Sequence, residues 1–256
     1  MTRAQARGWL VSLVLACATL PALASGDPLD SARWEDMRRQ FFPNQTVQFD
    51  DRVRVLAPLS AENSMEVPIT VDATAVADVK EVLVFADFNP ILKVLSFEPL
   101  DAKARLAFRV KLQQSTPVRA AARTADGVWH VGGTWVNTTG GGCSAPSVGS
   151  ASPVWQSRLM EVNGRLWSRP DGTRLRVRII HPMDTGLAGD IPAFYIETLE
   201  VADAAGAALL RIHAFEPVSE NPLFTIDLAD DKKDVARLKV SGRDNNGNRI
   251  NAWVEQ

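Results

Sequence analysis

The sequence predicts an all-β protein: two immunoglobulin-like β-sandwich domains joined by a flexible Gly/Ser-rich linker, with a short N-terminal helix ahead of them. Three observations carry this. Short runs rich in Val, Ile, Phe and Trp recur at near-regular spacing with turn residues between them. Some of these runs alternate apolar with charged residues, as "ARLAFRVKL" (104–112) and "TRLRVRII" (173–180) do, the mark of a sheet with one wet face. The Gly/Ser/Ala/Pro tract at 137–153 cannot bury apolar area and separates two stretches of similar length, 30–136 and 154–256.

The chain opens on a secretory signal peptide, expected over 1–24. Arg3 and Arg7 precede the apolar run 9–20, and Ala22-Leu23-Ala24 is a small-x-small cleavage site. The run is too short for a membrane span and no later stretch approaches ~20 apolar residues, so membrane insertion is not expected. The expected location is the periplasm. Cleavage removes Cys17 and leaves Cys143 as the one cysteine of the exported chain. Without an internal partner, such a cysteine is a reactive thiol or an intermolecular bridge, which admits a disulfide-linked homodimer. A formal charge of −2 and the lack of a basic tract give no indication of nucleic acid as a partner.

The helix is expected after Asp30 or Ser31 as cap. Trp34, Met37 and Phe41 share one face, suited to packing over a sheet, and Pro43 ends it. Strands follow at 46–56, 66–72, 80–87, 92–97, 104–112, 118–123 and 128–136. In the second half they are expected at 174–180, 191–201, 208–215, 223–228, 237–241 and 249–254. Asp171-Gly172 and Asn246-Gly247 are tight-turn signals. The halves also echo each other: "FADFNPILKVLSFE" resembles "FEPVSENPLFTIDL", and "VRAAARTADGVWHVGGTWV" resembles "LKVSGRDNNGNRINAWV". Two matches in the same order indicate two copies of one topology.

Enzyme chemistry is poorly supported, and no cofactor is implied. The only histidines are His130, His181 and His213, and a tether cannot hold Cys143 against any of them as a catalytic base. There is no C-x-x-C or H-x-x-x-H for zinc, and "TTGGGC" lacks the Lys-Ser/Thr ending of a phosphate loop. His181 and Met183, with His213, offer imidazole and thioether donors suited to copper. The plainer reading places "HPMDTG" at a strand end and Met183 in the core.

Cys143 is the distinctive residue. No charge lies between Thr134 and Ser157, so its thiol is expected to be accessible, near its free pKa of ~8.5 and not activated by its own domain. Gly140, Gly141 and Gly142 give it a slack arm, which extends at most roughly 23–25 Å from Val136. Such a thiol suits chemistry performed in another protein's active site.

These residues resemble the SoxYZ carrier of periplasmic thiosulfate oxidation, with both partners in one polypeptide. "VLVFADFNPILKVLSF" and "GGGC" are similar to SoxY; "HPMDTG", "IPAFYIETLEV" and "NPLFTIDL" fall in the order of SoxZ. The likeness is nearest to SoxYZ-like carriers of the quinoprotein dehydrogenase-associated type. It implies a non-enzymatic carrier with Cys143 as covalent attachment site and Gly140, Gly141 and Gly142 as swinging arm. It implies sulfur-oxidation or quinoprotein dehydrogenase enzymes as partners. One departure is plain: Cys143 is followed by Ser144, Ala145, Pro146 and a second domain, so the arm is tied at both ends. Two other readings stand beside the carrier: an adaptor docking onto a periplasmic quinoprotein dehydrogenase, and a copper-delivery protein.

Overall fold

The computed structural model describes residues 26–148 and 153–256, so the expected signal peptide and residues 149–152 of the expected linker lie outside it. Helix α1 (Trp34–Phe41) leads into β1 (Val47–Phe49), β2 (Arg54–Leu56), β3 (Ser60–Ala61), β4 (Val67–Asp72), β5 (Val79–Ala86), β6 (Lys93–Glu98), β7 (Ala102–Val110), β8 (Thr116–Thr124) and β9 (Trp129–Thr138). After the short α2 (Pro153–Ser157) come β10 (Val162–Arg169), β11 (Gly172–Ile179), β12 (Ile196–Ala202), β13 (Ala208–Ala214), β14 (Leu223–Leu228), β15 (Arg237–Asp244) and β16 (Arg249–Glu255).

The strands form two layers. One runs β1-β9-β8-β5-β6-β13-β12-β15-β16, with β3 beside β9; the other runs β10-β11-β14-β7-β4-β2. Each half supplies strands to both layers, as a sandwich requires. The halves are not tethered bodies, however. They join edge to edge: Phe97 of β6 faces Ile212 of β13 in one layer, and Leu106 of β7 faces Ile226 of β14 in the other. Edge strands carry unpaired N–H and C=O groups that must be satisfied somewhere, and here each half satisfies the other's. The hydrophobic core between the layers is accordingly one cluster, running from Val55 through Phe97, Leu106 and Ile212 to Val254.

Both layer orders read the same from either end once β9, β8, β5, β6, β7, β4 and β2 are matched with β16, β15, β12, β13, β14, β11 and β10. The repeat of one topology is therefore real, but only one sequence echo locates it. The β8–β9 and β15–β16 segments are equivalent. The two Asn-Pro segments are not: the first joins β5 to β6 within a layer, and the second leads from β13 across to β14. Proline recurs there because it suits a strand entry, whichever strand follows.

Local differences from the sequence reading have local causes. The expected strand 46–56 splits between layers because Asp50 turns the chain, accepting the N–H of Arg52 at 2.9 Å and its guanidinium at 2.6 Å. Neither Asp30 nor Ser31 caps α1; Ser31 lies a turn earlier, its hydroxyl accepting from Arg33 N–H at 3.3 Å. Strand β10 escaped notice because only Leu166 along it is buried.

Period-two alternation gives β5 two apolar faces. Val82, Val84 and Ala86 point into the inter-layer core, while Leu83 and Phe85 pack under α1 against Trp34, Met37 and Phe42. On that outer face Arg119 is almost wholly enclosed. Its guanidinium lies 2.6 Å from Asp27 and 3.0 Å from Asp87, with the Trp34 ring 4.8 Å away. The pairing pins the segment before α1 to the sheet. Arg119→Ala leaves two enclosed carboxylates without a counter-charge and is expected to cost about 3–5 kcal/mol. Urea denaturation at neutral pH checks this; an unchanged midpoint refutes the assignment.

Candidate functional site

The segment carrying Cys143 is built from glycine and small polar residues, yet it is folded down. The expectation of an exposed thiol on a flexible linker fails over the described part of the linker: Cys143 is 0% exposed. Main-chain pairing draws it in. Gly141 N–H donates to Gln113 O at 2.9 Å, and Gly142 N–H donates to Leu112 O at 3.0 Å. Ser64 Oγ donates to Gly140 O at 2.8 Å. The glycines serve this docking. A Cβ on Gly142 would lie 2.1 Å from Ser64 O, and one on Gly140, whose φ is +86°, would lie 2.6 Å from Gln113 O. Gly141 shares the left-handed backbone but borders open space. Only a chain without side chains fits so close to the rail formed by 111–113.

That rail is fixed by Asn89. Its side-chain amide donates to Lys111 O at 3.0 Å, and its carbonyl oxygen accepts Gln113 N–H at 2.9 Å. Cys143 Sγ donates to the same Lys111 O at 3.3 Å. The second half closes the other side. Thr185 Oγ1 donates to Cys143 O at 2.5 Å, Asp184 accepts Ser147 N–H at 3.2 Å, and Glu220 accepts Val148 N–H at 2.7 Å. The thiol thus sits at the seam where the halves join, covered by the "HPMDTG" loop.

The loop is itself held by polar contacts. Asn221 N–H donates to His181 O at 2.8 Å, and Asn221 Oδ1 accepts His181 N–H at 3.2 Å. His181 Nδ1 accepts Met183 N–H at 3.0 Å, so the ring proton lies on Nε2, which faces Asp244 at 3.5 Å. Met183 is enclosed with φ +52°, and its sulfur accepts Ile196 N–H at 3.3 Å. Nothing in this arrangement supports the copper reading: His181 Nδ1 and the Met183 sulfur each accept a backbone N–H, and His181 Nε2 faces Asp244. His213 lies exposed on β13, whereas the ring of His181 is enclosed. Among the described residues, no group of three His, Cys, Asp or Glu is placed to hold a metal.

Lys111 is the residue that sequence reasoning missed. Alternation along β7 sends Arg105 and Arg109 outward and would send Lys111 with them. Instead the strand ends at Val110, and the enclosed Lys111 ammonium donates to Met183 O. Burial pulls its pKa down, while Asp184, Cys143 and Glu220 pull it up. Burial also governs the thiol, pushing it up to about 12 against the opposing pull of Lys111 and a backbone N–H from Gln113. At neutral pH the docked thiol is then almost wholly protonated, against a few per cent thiolate for a free thiol. The same effect holds His181 down at about 4, burial outweighing Asp244.

Known proteins supply three comparisons. The model of the SoxY family, "Sulfur oxidation protein SoxY", matches residues 38–143, and that of SoxZ, "Sulphur oxidation protein SoxZ", matches 168–255. A solved structure of the sulfur carrier protein SoxY from Chlorobium limicola f thiosulfatophilum is 21% identical, with a TM-score of 0.38, covering 42% of this chain and 96% of that one. No curated protein matches the chain.

Two measurements probe the docked state. Its thiol pKa is raised above the free value, so the docked arm is fully favoured below about pH 9 and loses ground as pH rises toward 12. Labelling of Cys143 by a disulfide reagent is expected to keep climbing from pH 9 to 11, where a free thiol has levelled off. A plateau near pH 9 contradicts the docking. At neutral pH, Gly142→Ala is expected to raise the labelling rate at least tenfold by expelling the arm from its rail, with Thr185→Val changing it in the same direction. Unaltered rates in both variants count against the assignment.

Proposed function

The chain belongs to the SoxY and SoxZ sulfur-oxidation families, fused in one polypeptide, and on that premise we propose that it carries sulfur-compound oxidation intermediates covalently on the Cys143 thiol and presents them to partner enzymes. Both families are sulfur carriers. The observation that carries the reading is positional: the SoxY match ends on Cys143, at the tip of a glycine arm. In this reading the protein is exported to the periplasm through the segment 1–24. Its partners are enzymes of a sulfur-oxidation or quinoprotein dehydrogenase system, and catalysis belongs to them.

The docked thiol adds a condition. The thiolate is the attacking form, and its docked fraction is too small for loading. Loading therefore takes place with the arm off its rail, at a partner's active site. The docked contacts suit such exchange, since each hydrogen bond contributes only about 0.5–1.5 kcal/mol net and few side chains anchor the arm. A disulfide-linked homodimer through Cys143 likewise requires release, because the docked sulfur is enclosed.

The enclosed thiol also favours a second reading, an adaptor whose Cys143 is structural packing. Intact-mass measurement on protein isolated from its native compartment separates the two. The carrier reading expects mass adducts that a reductant removes and that a Cys143→Ala variant lacks, together with loss of pathway activity in that variant. Full activity without the thiol establishes the adaptor instead.

A further inference from the structure

The outer face of the smaller layer carries arginines from one edge to the other, and most are matched. Arg54 lies 2.7 Å from Asp72, Arg105 lies 2.7 Å from Asp227, Arg174 lies 2.6 Å from Asp227, and Arg109 lies 3.5 Å from Glu66. At the β10 edge Arg169 still lies 3.4 Å from Asp171, but along the rest of that edge the matching stops. Arg165, Arg176 and Arg178 are exposed and have no carboxylate partner among the described residues. Register places them together: Arg165 is directly opposite Arg176, and Asn163 is opposite Arg178. Directly opposed like charges destabilise a strand pair, so this arrangement is one that folding alone does not favour. Beside it Trp167, opposite Arg174, is 37% exposed and has the Arg165 guanidinium 5.7 Å from its ring.

We propose that this Arg165–Arg176–Arg178 face, with Trp167 at its border, is a docking surface for an acidic partner protein. Three points select that occupant. The three arginines stand on two adjacent strands of an exposed sheet face, which offers area to a macromolecule. Arg and Trp are enriched among the side chains that anchor protein interfaces, each offering wide contact. The neighbouring carboxylate, Asp227, is shared between Arg174 and Arg105 and leaves the three guanidinium groups as the local charge, though the whole chain is formally at −2. Unmatched like charge at a rim raises the rate of encounter with an acidic surface and makes binding salt-dependent. The surface functions whether or not Cys143 holds cargo.

Poly-L-glutamate serves as the probe, titrated against the full mature chain by calorimetry at low and at physiological salt. Wild-type protein is expected to bind saturably, at least tenfold more weakly at the higher salt. The triple variant Arg165→Gln, Arg176→Gln, Arg178→Gln should bind at least tenfold more weakly than wild type, with its thermal midpoint retained or raised. Removing the same charge elsewhere, by Lys80→Gln, Lys233→Gln and Arg249→Gln, should leave binding within about twofold. Equal loss in both triple variants, or no loss in the first, overturns the proposal. So does binding to phosphatidylglycerol vesicles without binding to poly-L-glutamate, which assigns the face to a membrane surface.

Discussion

Backbone hydrogen bonding between β6 and β13 in one layer, and between β7 and β14 in the other, governs what the rest of the molecule can do. Four edge strands that would otherwise face water are consumed in pairs, and the side chains behind them merge into one core. The union also sets position. Because the junction fixes the halves in register, Lys111 at the end of β7 meets the 181–186 loop of the other half, and Thr185 reaches the Cys143 carbonyl. The thiol site belongs to neither half alone.

The arm reverses the usual meaning of a glycine run. Freedom of the unbound chain is one consequence of missing side chains, but close approach is another, and here close approach decides the docked state. Gly142 passes too near Ser64 O for any other residue, and Lys111 and Leu112 supply the main-chain acceptors. The sulfur is enclosed and protonated while docked, and in the proposed function it reacts once withdrawn. An uncharged segment is suited to both, since it neither costs much to bury nor stabilises thiolate while enclosed.

Much was legible beforehand. Helix α1 and most strands follow from period-3.6 and period-two patterns, and the β8–β9 and β15–β16 echo located a true repeat. The failures share one cause. Strand β10 is nearly all exposed, so it shows no apolar period, and only pairing with β11 makes it a strand. Lys111 reads as a surface residue because its covering loop lies about seventy positions away. Asn89 and Asn221 were read as repeat markers, whereas their amides brace the rail and the loop around the thiol.

By itself the sequence determined the class of fold, the twofold repetition and the one cysteine that the proposed function rests on, because these rest on local periodicity and on residue type. Tertiary structure alone decided that the halves share their sheets, that the glycine segment lies down, and that the thiol is enclosed and protonated. Those outcomes depend on which groups meet across the seam, and contact between distant residues leaves no period in a chain.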